Sequence, residues 1–371
     1  MTKINNKKNI HIIAEIGVNH NGNLNLAKKL ILESKKHGAD SVKFQTYNTD
    51  DIIVQNTKKA KYQIINTHDD ESQYDMLKKY ELSNKNYISL VRYAKKINIE
   101  FFSTACDIKS LHYLSKILKL NTIKISSSDL TNTPLLLLAG LTKKNIIISS
   151  GMGCLEEVDI ALSALAFGYH SSSKKDLLKF SIKKHNNLYL KHKEYLCKKV
   201  TLLHCTTDYP ASINELNLNV IDIFKKRYNS KIGYSDHSND LITPIIASSK
   251  NIDTIEVHVT IDKKLPGPDH VCSLDMKQFE QYVKNIKKTE SILGISKKIP
   301  TKSEFKNIKA VRKSLVITQN LNKNEKLSIK NLSVKRPGNG IPSLMYNEYI
   351  GKTIKKDLKK NHFLKKDDIK H

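Results

Sequence analysis

Two short stretches hold residue types that could do chemistry together. Gly233-Tyr234-Ser235-Asp236-His237-Ser238 continues the run that starts at Lys231-Ile232, and Glu256-Val257-His258-Val259-Thr260 follows Asp253-Thr254-Ile255. Each reads as the C-terminal end of a strand. Side chains alternate along a strand, so Ser235 and His237 share a face, as do Glu256 and His258. If the two strands are neighbours, roughly 5 Å apart, both imidazoles reach one divalent ion. Two neutral histidine nitrogens leave coordination positions open for water or substrate, as a catalytic metal requires. The bland alternative is two hydrogen-bonded histidines at a barrel rim.

The elements that must position these groups recur along the chain. Eight strand-like runs lie at residues 11–18, 41–47, 100–105, 122–127, 145–151, 200–206, 231–237 and 254–260. Segments of helical periodicity separate them. Asn23 can cap a helix with Leu24, Ala27, Ile31 and Ser34 on one stripe and Gly38 at its close. Further helices are expected at 108–118, at 134–141 behind Pro134, and at 276–292. Val- and Ile-rich strands alternating with helices imply a parallel sheet, and eight such units imply a (β/α)8 TIM barrel. A doubly wound open sheet is the second choice.

In such a barrel the reacting groups collect at the C-terminal strand ends. Here every strand end is polar: Glu15 with Asn19-His20, Lys43 with Gln45, Ser103-Thr104, Lys124 with Ser127 and Asp129, Ser149-Ser150-Gly151, and His204 with Thr206-Thr207 and Tyr209. Two inward lysines among hydroxyls form a dianion site, with Lys43 and Lys124 supplying charge and hydroxyls giving directional bonds. A snorkelling rim lysine is the alternative for either one alone. A dianion beside a metal and carboxylates suggests work on a phosphorylated small molecule. Pro266-Gly267-Pro268-Asp269 reads as a rigid turn, with its Asp either solvated or held against a hydroxylated substrate. Lys335-Arg336-Pro337-Gly338-Asn339-Gly340 is either a surface loop or a turn that delivers an arginine.

The composition sets limits. A chain of 371 residues that is 39% hydrophobic can bury one large core and a small second one. No apolar run approaches the ~20 residues of a membrane span. Residues 1–9 lack the apolar core of a signal peptide. Five scattered cysteines without a CxxC pair fit a reduced, cytoplasmic setting. The net charge of +27 could attract a polyanion, but lysine is spread throughout with no arginine-rich stripe, so nucleic acid is not expected as a partner, nor is a membrane.

Two intervals exceed a bare helix. The one between residues 46 and 98 must include a loop, a candidate lid on the catalytic face. The one at 170–199 is Ser- and Lys-rich and reads as a surface insertion without chemistry. The expected organisation is a barrel at 1–296, a linker at 297–308 and a small β-rich domain at 309–371. The last contains an echo: Leu321-Asn322-Lys323-Asn324-Glu325-Lys326-Leu327 with Leu332 resembles Leu358-Lys359-Lys360-Asn361-His362-Phe363-Leu364 with Ile369.

Several of these motifs together resemble a known family. Ala14-Glu15-Ile16-Gly17-Val18-Asn19-His20-Asn21-Gly22, Val42-Lys43-Phe44-Gln45-Thr46, Ser149-Ser150-Gly151-Met152, His204-Cys205-Thr206-Thr207-Asp208-Tyr209-Pro210, residues 233–238 and residues 266–269 resemble the sialic acid synthases. Residues 335–340 look like the signature of the family's antifreeze-like (SAF) domain. The resemblance implies a homodimer with swapped SAF domains that condenses phosphoenolpyruvate with an N-acylated mannosamine-type sugar. It implies a divalent ion, typically manganese with magnesium or cobalt as alternatives, on His237 and His258. It implies phosphoenolpyruvate on Lys43, Thr104, Lys124, Ser127, Ser149, Thr207 and Ser235. Glu15, Gln45, Tyr209, Asp269 and the partner subunit's Arg336 would face the sugar. Glu15, Lys43, Lys124, Asp129 and Glu256 would be the catalytic set, with Glu256 or Asp129 handling the proton of the attacking water. Lys61-Tyr62-Gln63, Asp70-Glu71-Ser72-Gln73 and the stretch at Thr207 look more like the branch that makes N,N'-diacetyllegionaminate from a 2,4-diacetamido-6-deoxy sugar than the branch that uses N-acetylmannosamine. Two motifs depart from the family pattern: Ser103-Thr104-Ala105-Cys106-Asp107 lacks the usual Pro-Phe, and Ser126-Ser127-Ser128-Asp129 replaces a Ser-Gly-Glu pattern. A metal-dependent hydrolase and a basic anion- or nucleic-acid-binding protein are the competing functions.

Overall fold

The computed structural model describes residues 9–67, 70–228 and 230–370. The expected absence of a signal segment rests on residues 1–9, of which 1–8 lie outside the described residues. The chain divides into two compact units, Met1–Gly294 and Ile295–His371.

The first unit is a closed parallel barrel in the order β1 (His11–Gly17), β2 (Ser41–Thr46), β3 (Glu100–Ala105), β4 (Thr122–Ile125), β5 (Asn145–Ser149), β6 (Val200–Cys205), β7 (Lys231–Asp236) and β8 (Thr254–His258). The last strand closes on the first, with Ile13 opposite Glu256 and Glu15 opposite His258. Side-chain alternation divides each strand. Outward residues such as Ala14, Val42, Ile123 and Ile148 join a large apolar layer beneath the surrounding helices. Inward residues near the strand starts, Ile13, Phe102, Ile147 and Leu203, form a separate apolar plug inside the barrel. Two residues further along these same strands stand Glu15, Thr104, Ser149 and Cys205. The barrel is therefore apolar at one end and polar at the other, with the plug shielding the polar end from below.

The helices follow local signals. Asn23 Oδ1 accepts from the amides of Asn25 and Leu26 at 2.8 and 3.1 Å and starts helix Leu24–Lys36, whose buried stripe is Ala27, Leu30, Ile31 and Ser34. Gly38 follows at φ +99°. The long interval after β2 contains the short helices Thr49–Ile52, Lys61–Thr67 and Gln73–Tyr80 before helix Asn84–Lys96.

The 170–199 insertion is more integrated than a loose surface segment. It folds into short helices that bury Leu177, Tyr189 and Leu196, and Tyr189 packs edge-on to Tyr228 with ring centroids 5.4 Å apart. The expected linker at 297–308 is also partly regular. Helix Lys302–Val311 begins within it because Thr301 and Glu304 form a capping box.

The second unit has its own apolar core and an antiparallel pair, β9 (Ser314–Ile317) and β10 (Leu332–Lys335). The echo is structural as well as sequential. Leu321 and Leu358 exchange backbone hydrogen bonds at 2.8 and 2.9 Å, and Asn324 and Asn361 take matching positive φ values of 78° and 69°. No helix among the described residues is long and apolar enough to cross a membrane.

Candidate active site

The polar end of the barrel opens into a cavity of about 470 Å³. Its floor is ionic. Lys43 Nζ lies 3.3 Å from Glu15 Oε1 and 3.2 Å from Glu256 Oε1, and Lys124 Nζ lies 3.0 Å from that same Glu256 oxygen. Ser235 donates to it as well, at 2.8 Å, and Gln45 donates to Glu15 at 3.2 Å. All four charged side chains are almost fully buried.

Such packing separates the carboxyls chemically. Burial raises the Glu256 carboxyl, but Lys124 and Lys43 outweigh it and hold the group well below the usual range. Burial, reinforced by the Glu256 charge, pushes Glu15 up to about 7, and Lys43 and Lys124 only partly offset it. The ammonium groups differ too. Burial lowers both, yet Glu15 and Glu256 lift Lys43 above its usual value, whereas Lys124 stays below.

Hydroxyls ring one side of this floor. Ser149 Oγ and Thr207 Oγ1 are buried without a hydrogen-bond partner, Thr104 is buried, and Ser127 Oγ accepts from the Gly151 amide at 3.1 Å. Unpaired buried hydroxyls beside two ammonium groups have the chemistry to donate to an anion.

The imidazoles stand on the other side. The rings of His237 and His258 lie 5.3 Å apart, and Tyr209 packs on both, at 4.2 and 5.6 Å. His237 Nδ1 is 2.7 Å from the Thr206 carbonyl, which assigns its proton there and leaves the Nε2 lone pair available. His258 Nδ1 is buried without a partner, and burial, reinforced by His237 and Lys43, holds this ring well below the usual imidazole range. Two imidazole nitrogens on one side of the cavity, one of them orphaned, fit a divalent ion, although, against burial, Cys205 and the Thr206 carbonyl favour the protonated form of His237. Among the described residues no group of three His, Cys, Asp or Glu side chains completes a cage.

Asp129 lines the cavity with its carboxylate tied to Ser126 at 2.7 Å and Asn132 at 2.9 Å. Asp269 also lines it, and burial pushes its carboxyl up to about 6 against the pull of His237 and Lys43. Arg336 lies in the second unit, exposed after β10. The other expected site residues all line the barrel cavity.

Sequence reasoning did not single out the apolar wall formed by Ile52, Ile53, Met76 and Leu77. Nor did it assign a cavity role to Tyr62, whose ring lies 5.0 Å from that of Tyr209. The signal available was the excess length between β2 and β3.

Comparison with known proteins matches this arrangement. The sequence profile described as "NeuB family" matches residues 30–298, and that of the SAF domain matches residues 312–370. The chain belongs to the NeuB family. Among relatives, the N,N'-diacetyllegionaminic acid synthase of Campylobacter jejuni subsp. jejuni serotype O:2 is 40% identical over 354 residues, 95% of this chain and 98% of that protein. The protein of the same name from Legionella pneumophila subsp. pneumophila is 36% identical over 347 residues, 94% of this chain and 91% of that protein. The crystal structure of an N-acetylneuraminic acid synthetase from Leptospira borgpetersenii serovar Hardjo-bovis, in complex with citrate, is 30% identical and superposes with a TM-score of 0.65 over 83% of this chain and 94% of that one. The (β/α)8 barrel followed by a SAF domain, expected from the motifs, is thus the architecture of this NeuB-family chain.

Proposed function

We propose that this NeuB-family chain condenses phosphoenolpyruvate with an open-chain N-acylated mannosamine-type sugar, releasing phosphate and forming a nonulosonic acid. The acceptor we infer is 2,4-diacetamido-2,4,6-trideoxymannose, making the product N,N'-diacetyllegionaminate. What supports the reading is that Lys43, Lys124, His237 and His258 line one cavity in a chain 40% identical to a protein named for that product. The apolar wall of Ile52, Ile53, Met76 and Leu77 suits a 6-deoxy methyl group better than a hydroxymethyl group.

In this reading Lys43 and Lys124 bind the phosphate, and the unpaired Ser149 and Thr207 hydroxyls complete its shell with Thr104, Ser127 and Ser235. Gln45, Tyr209, Asp269 and the partner subunit's Arg336 orient the sugar. C3 of phosphoenolpyruvate attacks the aldehyde carbon, water adds at C2, and phosphate leaves with C–O cleavage. His237 and His258 would hold a divalent ion, manganese before magnesium or cobalt, which supplies Lewis-acid stabilisation of a carbonyl oxygen. Glu256, held ionised by two lysines, is a charge partner and a poor proton carrier. Glu15, pushed to about 7, is better placed to hold and release a proton near neutrality, with Asp129 as the second carboxyl on the phosphate side. The working protein would be a cytoplasmic homodimer with exchanged SAF domains, boundaries near 296 and 309, and no nucleic-acid or membrane partner.

The decisive assay supplies purified protein with phosphoenolpyruvate and manganese, adds either the diacetamido sugar or N-acetylmannosamine, and follows phosphate. Phosphate release that requires the diacetamido sugar is expected. Release without any acceptor would establish the hydrolase instead, and preference for N-acetylmannosamine would make the chain an N-acetylneuraminate synthase.

A further inference from the structure

The Asp269 carboxylate has no hydrogen-bond partner among the described residues, and the neutral His258 ring comes no nearer than 3.9 Å, at Nδ1. A side chain without its own tethers is aimed by its backbone. That backbone is the 266–269 turn, and it is held from one direction by the loop that follows β1.

Asn21 Nδ2 donates to the Pro266 carbonyl at 2.9 Å, so its Oδ1 faces His270 Nε2, 3.1 Å away. His270 must donate there, and its Nδ1 then accepts from the Thr260 hydroxyl at 2.7 Å. His270 is fully buried. Asn19 acts on the far end of the same turn. Its amide donates to the Val259 carbonyl at 2.9 Å and to Ser273 Oγ at 2.8 Å, and Ser273 donates in turn to the Asp269 carbonyl at 2.5 Å. Gly267 sits at φ +146°, where a Cβ would come within 3.0 Å of His270 and 3.2 Å of Asn21, so the turn is pressed against the pair. Between the two asparagines, His20 stacks on Phe44 and accepts from the Gly22 amide at 3.0 Å, fixing the loop itself.

We propose that Asn19 and Asn21 are positioning residues of the acceptor-sugar subsite, acting through Ser273 and His270 on the turn that presents Asp269. The proposal rests on the reading that Asp269 faces the sugar. A brace serving only barrel stability would disturb both substrates alike. A positioning role disturbs one.

The test compares Asn21→Ala, Asp269→Asn and the double variant, measuring kcat and KM for each substrate together with thermal midpoints. Asn21→Ala should raise the acceptor KM about tenfold and leave that of phosphoenolpyruvate within about twofold. The double variant should be no worse toward the acceptor than Asp269→Asn alone, because the two changes remove one interaction. Should Asn21→Ala unfold the barrel, Ser273→Ala interrupts the other arm of the clamp, the one from Asn19, at a single hydroxyl, and Ser273→Thr should keep the acceptor KM. An acceptor KM raised by Asp269→Asn but untouched by Asn21→Ala and Ser273→Ala would overturn the clamp while leaving the sugar role of Asp269 standing. Independent, multiplying effects would overturn it too. An acceptor KM unmoved by Asp269→Asn would remove both.

Discussion

Lys124 and Glu256 stand on β4 and β8, strands that do not pair, and meet across the barrel interior with 3.0 Å between Nζ and Oε1. Lys43 reaches the same oxygen from β2. Glu256 is thus the hub of a buried ionic knot, one carboxylate oxygen in contact with both ammonium groups.

Removing one member of a buried pair strands the other. Lys124→Met should destabilise the barrel by about 3 kcal/mol, and Glu256→Gln by more, since it leaves two ammonium groups facing one carboxyl. The double variant Lys124→Met/Glu256→Gln should recover stability relative to Glu256→Gln but not phosphate release. Urea unfolding alongside the phosphate assay checks both halves, and a Glu256→Gln protein as stable as the parent would refute the hub.

Glu15 carries a pH signature. Its carboxyl is raised from 4.5 to about 7 by burial, so between those values the folded chain holds a proton that the unfolded chain has shed. This group therefore lowers stability progressively as pH rises through that window, and its penalty is complete above 7. Glutamine has no proton to lose. Glu15→Gln should match the parent near pH 4.5 and exceed it by about 3 kcal/mol at pH 8. Unfolding midpoints at the two pH values, with the same difference at both, would contradict this.

The imidazole pair predicts a metal dependence divided by residue. Chelation should abolish phosphate release by the parent protein, and manganese should restore it. His237→Ala and His258→Ala should each lose activity at least about a hundredfold, with circular dichroism unchanged, and regain little with added manganese. Full turnover in chelator would sink the assignment.

Ser149 separates binding from folding. Its hydroxyl is buried without a partner, so Ser149→Ala should cost no stability or gain slightly. The same change should raise the phosphoenolpyruvate KM about tenfold, the effect of one lost hydrogen bond to a charged group. A thermal midpoint that falls by several degrees would mean that the hydroxyl has a structural partner after all.

The barrel was readable because parallel strands buried on both sides are near-continuous Val and Ile runs. Each observed strand starts where such a run starts and ends within two residues of it. The site was readable because alternation alone places Lys43 with Gln45 and Glu256 with His258. What strand pattern could not reveal was contact between non-neighbours. Nothing near Lys124 in the chain announces Glu256, which lies 132 positions later. Two further signals lie in the sequence itself. Thr301-Lys302-Ser303-Glu304 is a capping box, and it starts a helix where a linker was expected. The aromatic and aliphatic residues of the 170–199 insertion, Tyr189 and Leu177 among them, were masked by the lysines around them, yet they pack into the core.

Each of the eight strands contributes at least one residue to the cavity, from Glu15 on the first to Glu256 and His258 on the last. The cavity is consequently incomplete until the last strand of the barrel, and the turn carrying Asp269 after it, have been synthesised. Until about residue 258 has emerged and the eighth strand has docked on the first, a growing polypeptide has lysines but no glutamate hub and only one of its imidazoles. A chain that stops before the eighth strand would therefore lack both the glutamate hub and the second imidazole of the cavity.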